Sequence, residues 1–279
     1  MKGRSGEISL DNLSAEDLEK FTAADAKEWA AVLGSGAVRV LSVQESLAVR
    51  KSMAEKIIQS RMVRRWKPSE SIVEGPTAKS RWCVLGFQED QSEKLQLYSP
   101  TPATSTIYEF MAIGLSQGLF LNIADVKSAF TQSDPMTRRV FVAGCHGIDL
   151  ASQLQLLELV RPMYGLIDAP RLWHQSLTKH LRQSLKMTKS RFCPCWYLIY
   201  RDQCEFDKKG NVIAVKERPP GASKSPIIAQ ILLEVDDLLI MSSDAITSWL
   251  RAKLEERFKF GKWVTGSGGF AGRSLALVR

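Results

Sequence analysis

Histidine and cysteine are scarce in this chain of 279 residues, at three and five copies, and their placement excludes several chemistries. Cys83, Cys145, Cys193, Cys195 and Cys204 are odd in number, so they do not make a disulfide framework and imply a reducing compartment. Cys193-Pro194-Cys195 lacks the Cys-x-x-Cys pairs or histidine spacing of a zinc site, and His146, His174 and His180 are scattered. Long hydrophobic runs are missing too. No stretch reaches eighteen consecutive apolar residues, and the N-terminus, Met1-Lys2-Gly3-Arg4, carries no apolar signal-peptide core. The expectation is a soluble chain that is not secreted and has no membrane partner.

What is present is a globular composition. Hydrophobic residues make up 44% and charged residues 24%, enough for one large core or two modest ones. Thirty-eight Lys plus Arg against thirty Asp plus Glu give a net charge of +8, which suits a polyanionic partner. The excess is local: Arg50, Lys51, Lys56, Arg61, Arg64, Arg65 and Lys67 crowd one stretch, with Trp66 among them. Such a stretch reads as a nucleic-acid surface following a phosphate backbone, or as a solvated helix face.

The most informative segment runs from Ile231 to Met241, where two short apolar runs flank Glu234-Val235-Asp236-Asp237. The pattern predicts a β-hairpin with the two aspartates at its tip. Adjacent like charges repel, and a divalent cation relieves them; hard oxygen ligands select Mg²⁺ or Mn²⁺. Two such ions can clamp the attacking and leaving oxygens of a phosphoryl transfer, although a bare solvated tip fits the same residues. A second strand-like run, Phe120 to Asp125, ends in another carboxylate. If that strand lies beside the hairpin, Asp125 and Asp236 can share two metals with Asp237 in support. Strand alternation further predicts Glu234 and Asp236 on one face if no bulge intervenes.

Elsewhere the chain alternates helices and strands without regular βαβ spacing, which predicts an α+β fold with helices on one face of a sheet. Ser14-Ala15-Glu16-Asp17 looks like a helix start, and Ala23 to Leu33 reads as a helix that Gly34-Ser35-Gly36 ends. Val38 to Leu41 suits a strand. Ile57 to Val63 and Arg81 to Gly86 suit two extended segments joined by a loop with Pro68, Gly75 and Pro76. Ser105 to Leu115 places Ile107, Phe110, Met111, Gly114 and Leu115 on one helical face. Pro170 opens a helix carrying Leu172, Trp173, Leu177 and Leu181, and a last helix spans Ile246 to Phe260.

Four ordered blocks carry a family resemblance. Lys79-Ser80-Arg81 through Gly86-Phe87, Asp125-Val126-Lys127-Ser128-Ala129-Phe130, Met163-Tyr164-Gly165-Leu166 through Ala169-Pro170-Arg171-Leu172-Trp173, and Glu234-Val235-Asp236-Asp237 resemble, in order, segments of the reverse transcriptase domain of Ty1/copia-type retrotransposon polyproteins. The likeness covers roughly residues 25 to 275, ending with Leu254 to Phe258 and Phe270-Ala271-Gly272. It implies the palm and fingers of a right-hand polymerase, with the thumb absent or truncated, because the chain ends about forty residues after the Asp-Asp pair. Residues 1–22 would be a polar extension, about 38–120 the fingers and about 121–279 the palm.

The implied activity is RNA-directed DNA polymerisation, with attack of a primer 3′-hydroxyl on a dNTP, assisted by two Mg²⁺ or Mn²⁺ ions. By resemblance Asp125, Asp236 and Asp237 are catalytic, with Asp125, Asp236 and the Val126 carbonyl on the metals. Lys79 and Arg81 would hold triphosphate oxygens. Phe130 would be a sugar gate, or equally a core aromatic, and Tyr164 and Gly165 would lie under the incoming base. Arg61, Arg64, Arg65 and Lys67, together with Lys262 and Trp263 after the last helix, would contact nucleic acid. Arg171 and Trp173 read as packing residues. Partners would be an RNA or DNA template with its primer, and further Pol domains. The compartment would be cytoplasmic, nuclear or a virus-like particle. Three departures stand out: Glu234 replaces the family's aromatic residue, Ile167-Asp168 replaces Lys-Gln, and residues 201–225 are longer than the family spacing. Glu234 and Asp168, with the missing thumb, favour a second reading, an inactive remnant that binds nucleic acid. A chain without a full thumb is expected to extend primers poorly and distributively.

Overall fold

The computed structural model describes residues 6–68, 75–89, 95–219, 221–222 and 224–276. Among them are helices α1 (Ala15–Gly34), α2 (Val43–Ser52), α3 (Thr104–Ser116), α4 (Ala169–Gln183) and α5 (Asp244–Glu255). The strands run β1 (Val38–Val40), β2 (Ile57–Ile58), β3 (Ser60–Lys67), β4 (Thr77–Val84), β5 (Phe120–Val126), β6 (Phe141–Ala143), β7 (Leu156–Leu159) and β8 (Thr188–Lys189). They continue with β9 (Trp196–Tyr200), β10 (Cys204–Phe206), β11 (Val212–Val215), β12 (Ile227–Glu234), β13 (Asp237–Ser242), β14 (Phe260–Thr265), β15 (Ser267–Phe270) and β16 (Arg273–Ala276). The α+β class follows from this mixture, and no helix among the described residues is long and apolar enough to cross a membrane.

The chain divides into two compact units, each assembled from two separate segments: residues 1–97 with 130–172, and residues 98–129 with 173–279. The first unit holds a four-stranded sheet in the order β1-β7-β6-β2 and the β3–β4 hairpin. Its core gathers Trp29, Ile58, Met62, Trp82, Leu157 and Met163. Helix α1 is continuous, although two separate features marked its ends in the sequence. The Ser14 hydroxyl accepts from the Asp17 amide at 3.1 Å, satisfying one of the orphan donors of the first turn. No glycine or proline then interrupts the chain until Gly34.

The second unit is built on a six-stranded sheet in the order β14-β5-β13-β12-β9-β8. Helices occupy both of its faces, not one. The Gln230 side chain donates to the Phe110 carbonyl of α3 at 2.7 Å, whereas Tyr197 hydrogen-bonds Thr178 of α4. Gln230 pairs with Leu198, the neighbour of Tyr197, so Gln230 and Tyr197 point to opposite sides of the sheet. Near-continuous burial along β12 and β13, with apolar runs Ile231 to Leu233 and Leu238 to Met241, explains the result, since a one-sided sheet would alternate. Leu115 of α3 is exposed, outside the buried stripe of Ile107, Phe110 and Gly114. Helix α5 stops at Glu255, earlier than expected; Phe258 is buried beyond it, against Trp173, and Phe260 already begins β14.

Candidate active site

The hairpin β12–β13 pairs Glu234 directly with Asp237, so the turn itself is Val235-Asp236. Only Asp236 is at the tip, and Asp237 is the first residue of β13. This corrects the expectation that both aspartates form the tip. It also removes the basis for placing Glu234 and Asp236 on one face, because alternation holds only within paired strand. The partner of Glu234 is Asp237.

On its other side Asp237 pairs with Asp125, and Asp125 pairs with Lys262 of β14. Directly opposed residues of an antiparallel pair share a face, so one row across four strands reads Lys262, Asp125, Asp237, Glu234. Asp236 joins from the turn: carboxylate oxygens of Asp125, Asp236 and Asp237 all lie within 4.8 Å of one another. The end of β5 is tied to that turn by the Val126 amide, which donates to the Asp236 carbonyl at 2.8 Å. Burial, aided by the charges of Asp236, Asp125 and Glu234 and opposed by a bond from the Ala271 amide, pushes the Asp237 carboxyl up to about 6. A half-buried cluster of carboxylates with this much mutual repulsion is a donor set that fits a hard divalent cation.

Two residues that sequence reasoning left out of the chemistry shape this cluster. Trp173, read as a packing residue, donates its indole N–H to the Val235 carbonyl at 2.6 Å. Gly261 sits at a bulge of β14 beside Asp125, where a Cβ would lie 2.7 Å from the Asp125 carboxylate. The only sequence signal for Gly261 was a glycine interrupting an otherwise strand-like run, which marks a bulge or a close approach. Trp263 points the other way from Lys262 along β14. Its ring packs on Phe260 at 5.2 Å, and Arg251 lies 4.9 Å over it. Strand alternation therefore separates the pair Lys262 and Trp263, and only Lys262 shares the carboxylate face.

The first unit gathers a different set. Lys79, Arg81 and Gly165 line one cleft of about 1040 Å³ together with Arg61, Arg65 and Lys67. Alternation along β3 and β4 explains it: Arg65 pairs with Lys79 and Val63 with Arg81. Arg64, one residue out of phase, faces inward. It is 8% exposed, and its guanidinium clasps both Asp25 carboxylate oxygens, so it is not a nucleic-acid contact. Trp66 packs on Phe21 at 4.8 Å, and Arg61 is paired with Glu7 at 2.7 Å. Arg81 stacks 4.1 Å over the Tyr164 ring, and Tyr164 meets Phe130 edge-on at 5.0 Å. Phe130 and Tyr164 are only partly buried, against the core of this unit.

Gly165 has φ +92°, and its position allows no side chain, since a Cβ would fall on the Val84 carbonyl. The Val84 amide donates to the Tyr164 carbonyl at 2.8 Å, fastening the Tyr164-Gly165 turn to the end of β4. Asp168, an apparent loss of positive charge in the sequence, is 2% exposed and takes both of its oxygens to Arg138, which also holds Glu89. Its carboxylate is spent inside this ion-pair network.

The reverse transcriptase (RNA-dependent DNA polymerase) family model matches residues 47–205, a span that holds Lys79, Arg81, Asp125, Phe130, Tyr164, Gly165 and Trp173. A curated relative, the retrovirus-related Pol polyprotein from transposon TNT 1-94 of Nicotiana tabacum, is 24% identical over 183 residues, 64% of this chain. The aligned part is 12% of that relative's length. With the family model covering more than half of its residues, the chain belongs to the reverse transcriptase (RNA-dependent DNA polymerase) family and is a reverse transcriptase domain of the Ty1/copia retrotransposon type.

Proposed function

We propose that the chain carries the fingers and palm of an RNA-directed DNA polymerase, which joins a deoxynucleoside triphosphate to a primer 3′-hydroxyl along an RNA or DNA template. The observation that carries the reading is the juxtaposition of Asp125, Asp236 and Asp237, drawn from two paired strands and one turn. Asp125, Asp236 and the Val126 carbonyl would hold two divalent ions, with Asp237 tuning the pair. Such ions, when bound, lower the barrier by neutralising charge on the attacking and leaving oxygens.

The remaining work is positioning, which supplies most of the rate in phosphoryl transfer. Lys79 and Arg81 project from one hairpin as cations for triphosphate oxygens, Arg81 being held in place by its stack on Tyr164. Tyr164 and Gly165 would support the incoming base, and Phe130 would exclude a ribose 2′-hydroxyl. Arg61, Arg65 and Lys67 would follow the template backbone, and Lys262 the primer. Partners would include the remaining Pol domains, and the compartment would be intracellular.

One observation favours a second reading, a nucleic-acid-binding remnant without chemistry. Glu234 adds a carboxylate directly opposite Asp237 and so increases the negative charge beside any phosphodiester. Asp168 no longer supports that reading, since Arg138 neutralises it.

Single-nucleotide extension on poly(rA)/oligo(dT), with Mg²⁺ and then Mn²⁺, tests both. Incorporation by the natural chain that drops at least about a hundredfold in Asp236→Asn supports the polymerase. A gain in Glu234→Tyr would identify the handicap. Absence of incorporation in every variant, with duplex binding that weakens as salt rises, would support the remnant.

A further inference from the structure

Residues 217–219 and 221–222, within the stretch expected to exceed the family spacing, help to line two adjoining clefts at the β8 edge of the six-stranded sheet. The first, of about 670 Å³, is lined by Lys179, Arg182, Lys186, Lys189 and Arg218 against a single carboxylate, Glu217. Glu217 is itself paired with Lys186 at 3.1 Å, and Arg218 with Asp202 outside the cleft lining at 3.3 Å, with Lys179, Arg182 and Lys189 the main cations of the cleft. Lys179 and Arg182 succeed one another on α4, about 4.5 Å apart along its axis at the rise of a helix, and Lys186 follows just past its end. Lys186 occupies backbone normally left to glycine, with φ +55°, and is held there by the Gln203 side chain on its carbonyl. The second cleft, of about 870 Å³, mixes apolar and aromatic side chains with Arg191 and one carboxylate, Glu109, and shares Thr188, Lys189 and Arg218 with the first. At its rim Phe192 is 92% exposed beside Arg191, and Arg218 lies 3.7 Å over the Tyr200 ring at its base.

We infer that α4, the edge strand β8 and the segment around Arg218 form a binding surface for a single nucleic-acid strand, distinct from the carboxylate cluster. A stripe of cations continuous with an unpacked aromatic ring is what a single strand requires: phosphates lie along the charges and a base stacks on the ring. An acidic peptide would use the cations but leave Phe192 in water. The surface lies three strands from β13 in the sheet order, about 14 Å at the usual strand spacing. Phosphates bound there are not those at the carboxylates. The inference does not depend on nucleotidyl transfer, so a chain that fails to extend primers still tests it.

The test uses the whole chain in EDTA with fluorescent (dT)12 and (U)12 carrying one photoreactive 5-iodouracil. Cross-linking to Phe192 is expected. Phe192→Ser, at a position exposed enough to leave the fold intact, is expected to lose that cross-link and weaken binding about tenfold. Lys179→Gln/Arg182→Gln is expected to lower the slope of log Kd against log salt by about one. Cross-links confined to other segments, with both variants binding like the natural chain, would overturn the inference. Binding of poly-glutamate that is lost in the charge variant and unaffected in Phe192→Ser, with strand binding unchanged in both, would assign the surface to an acidic protein and overturn it equally.

Discussion

The indole of Trp173 holds the Val235 carbonyl at 2.6 Å, and Val235 is a β-branched residue at φ +52°. That backbone region disfavours a branched side chain by roughly 1–2 kcal/mol, so the turn carrying Asp236 is strained and needs an external tie. Trp173 supplies it from the start of α4. Trp173→Phe keeps the packing on Phe258 and removes only the hydrogen bond. Thermal unfolding should register a loss of about 1–2 kcal/mol. Mn²⁺ affinity, read by isothermal calorimetry, should fall with it; unchanged affinity would mean the turn holds its shape unaided.

Gly261→Ala tests the opposite side of the cluster. Its new methyl would press on the Asp125 carboxylate, while the residue itself is exposed on an edge strand and little else crowds it. The expected result is near-native melting with primer extension reduced at least about tenfold. Full activity would show that β14 moves aside at no cost.

Asp237 makes stability depend on pH in a defined direction. Its carboxyl titrates at about 6 in the fold, above its ordinary value near 3.8, so the folded state holds the proton more tightly than the unfolded chain. The corresponding stability is complete below about pH 4 and is lost as pH rises through 6. Asp237→Asn in EDTA should therefore melt higher than the natural chain at pH 7.5 and gain little at pH 4.5. The difference is on the order of 1 kcal/mol, allowing for solvent screening at a half-buried site. Equal gains at both values would count against this account.

Arg138 ties Glu89 and buried Asp168 together in the first unit. Removing the cation leaves two carboxylates without a partner, which costs about 3–5 kcal/mol where one is fully buried. Arg138→Leu should unfold at markedly lower urea. Arg138→Leu/Asp168→Leu should recover much of the loss, because an apolar pair needs no neutralisation.

The sequence made some of these features legible and hid others for physical reasons. Alternation and apolar runs were enough to find β12, β13 and β5, and with them three carboxylates that come together. The same alternation, applied to β3, would have turned Arg64 inward; its partner Asp25 is thirty-nine residues away on α1 and leaves no local trace. The tip of the hairpin was misjudged by one residue because Val235, a strand former by propensity, is the residue forced into the turn. Trp173 could be read as core from its helical spacing, but the acceptor of its N–H is sixty-two residues away. The two compact units exchange chain at 97/98, 129/130 and 172/173, a pairing of distant segments that composition does not record.

That exchange of chain has a consequence for synthesis. Residues 98–129 leave the ribosome before the first unit has received 130–172, and they belong to a sheet whose other strands all come after residue 172. Neither unit can close behind the other in the sequential order usual for multidomain chains. Folding of the first must wait for Leu172, and strand β5, with Asp125 at its end, stays unpaired until β13 and β14 are translated. A ribosome stalled between residues 126 and 237 would therefore release a product in which β5, mostly apolar, has no strand to pair with. Such a nascent chain is a natural client for holdase chaperones.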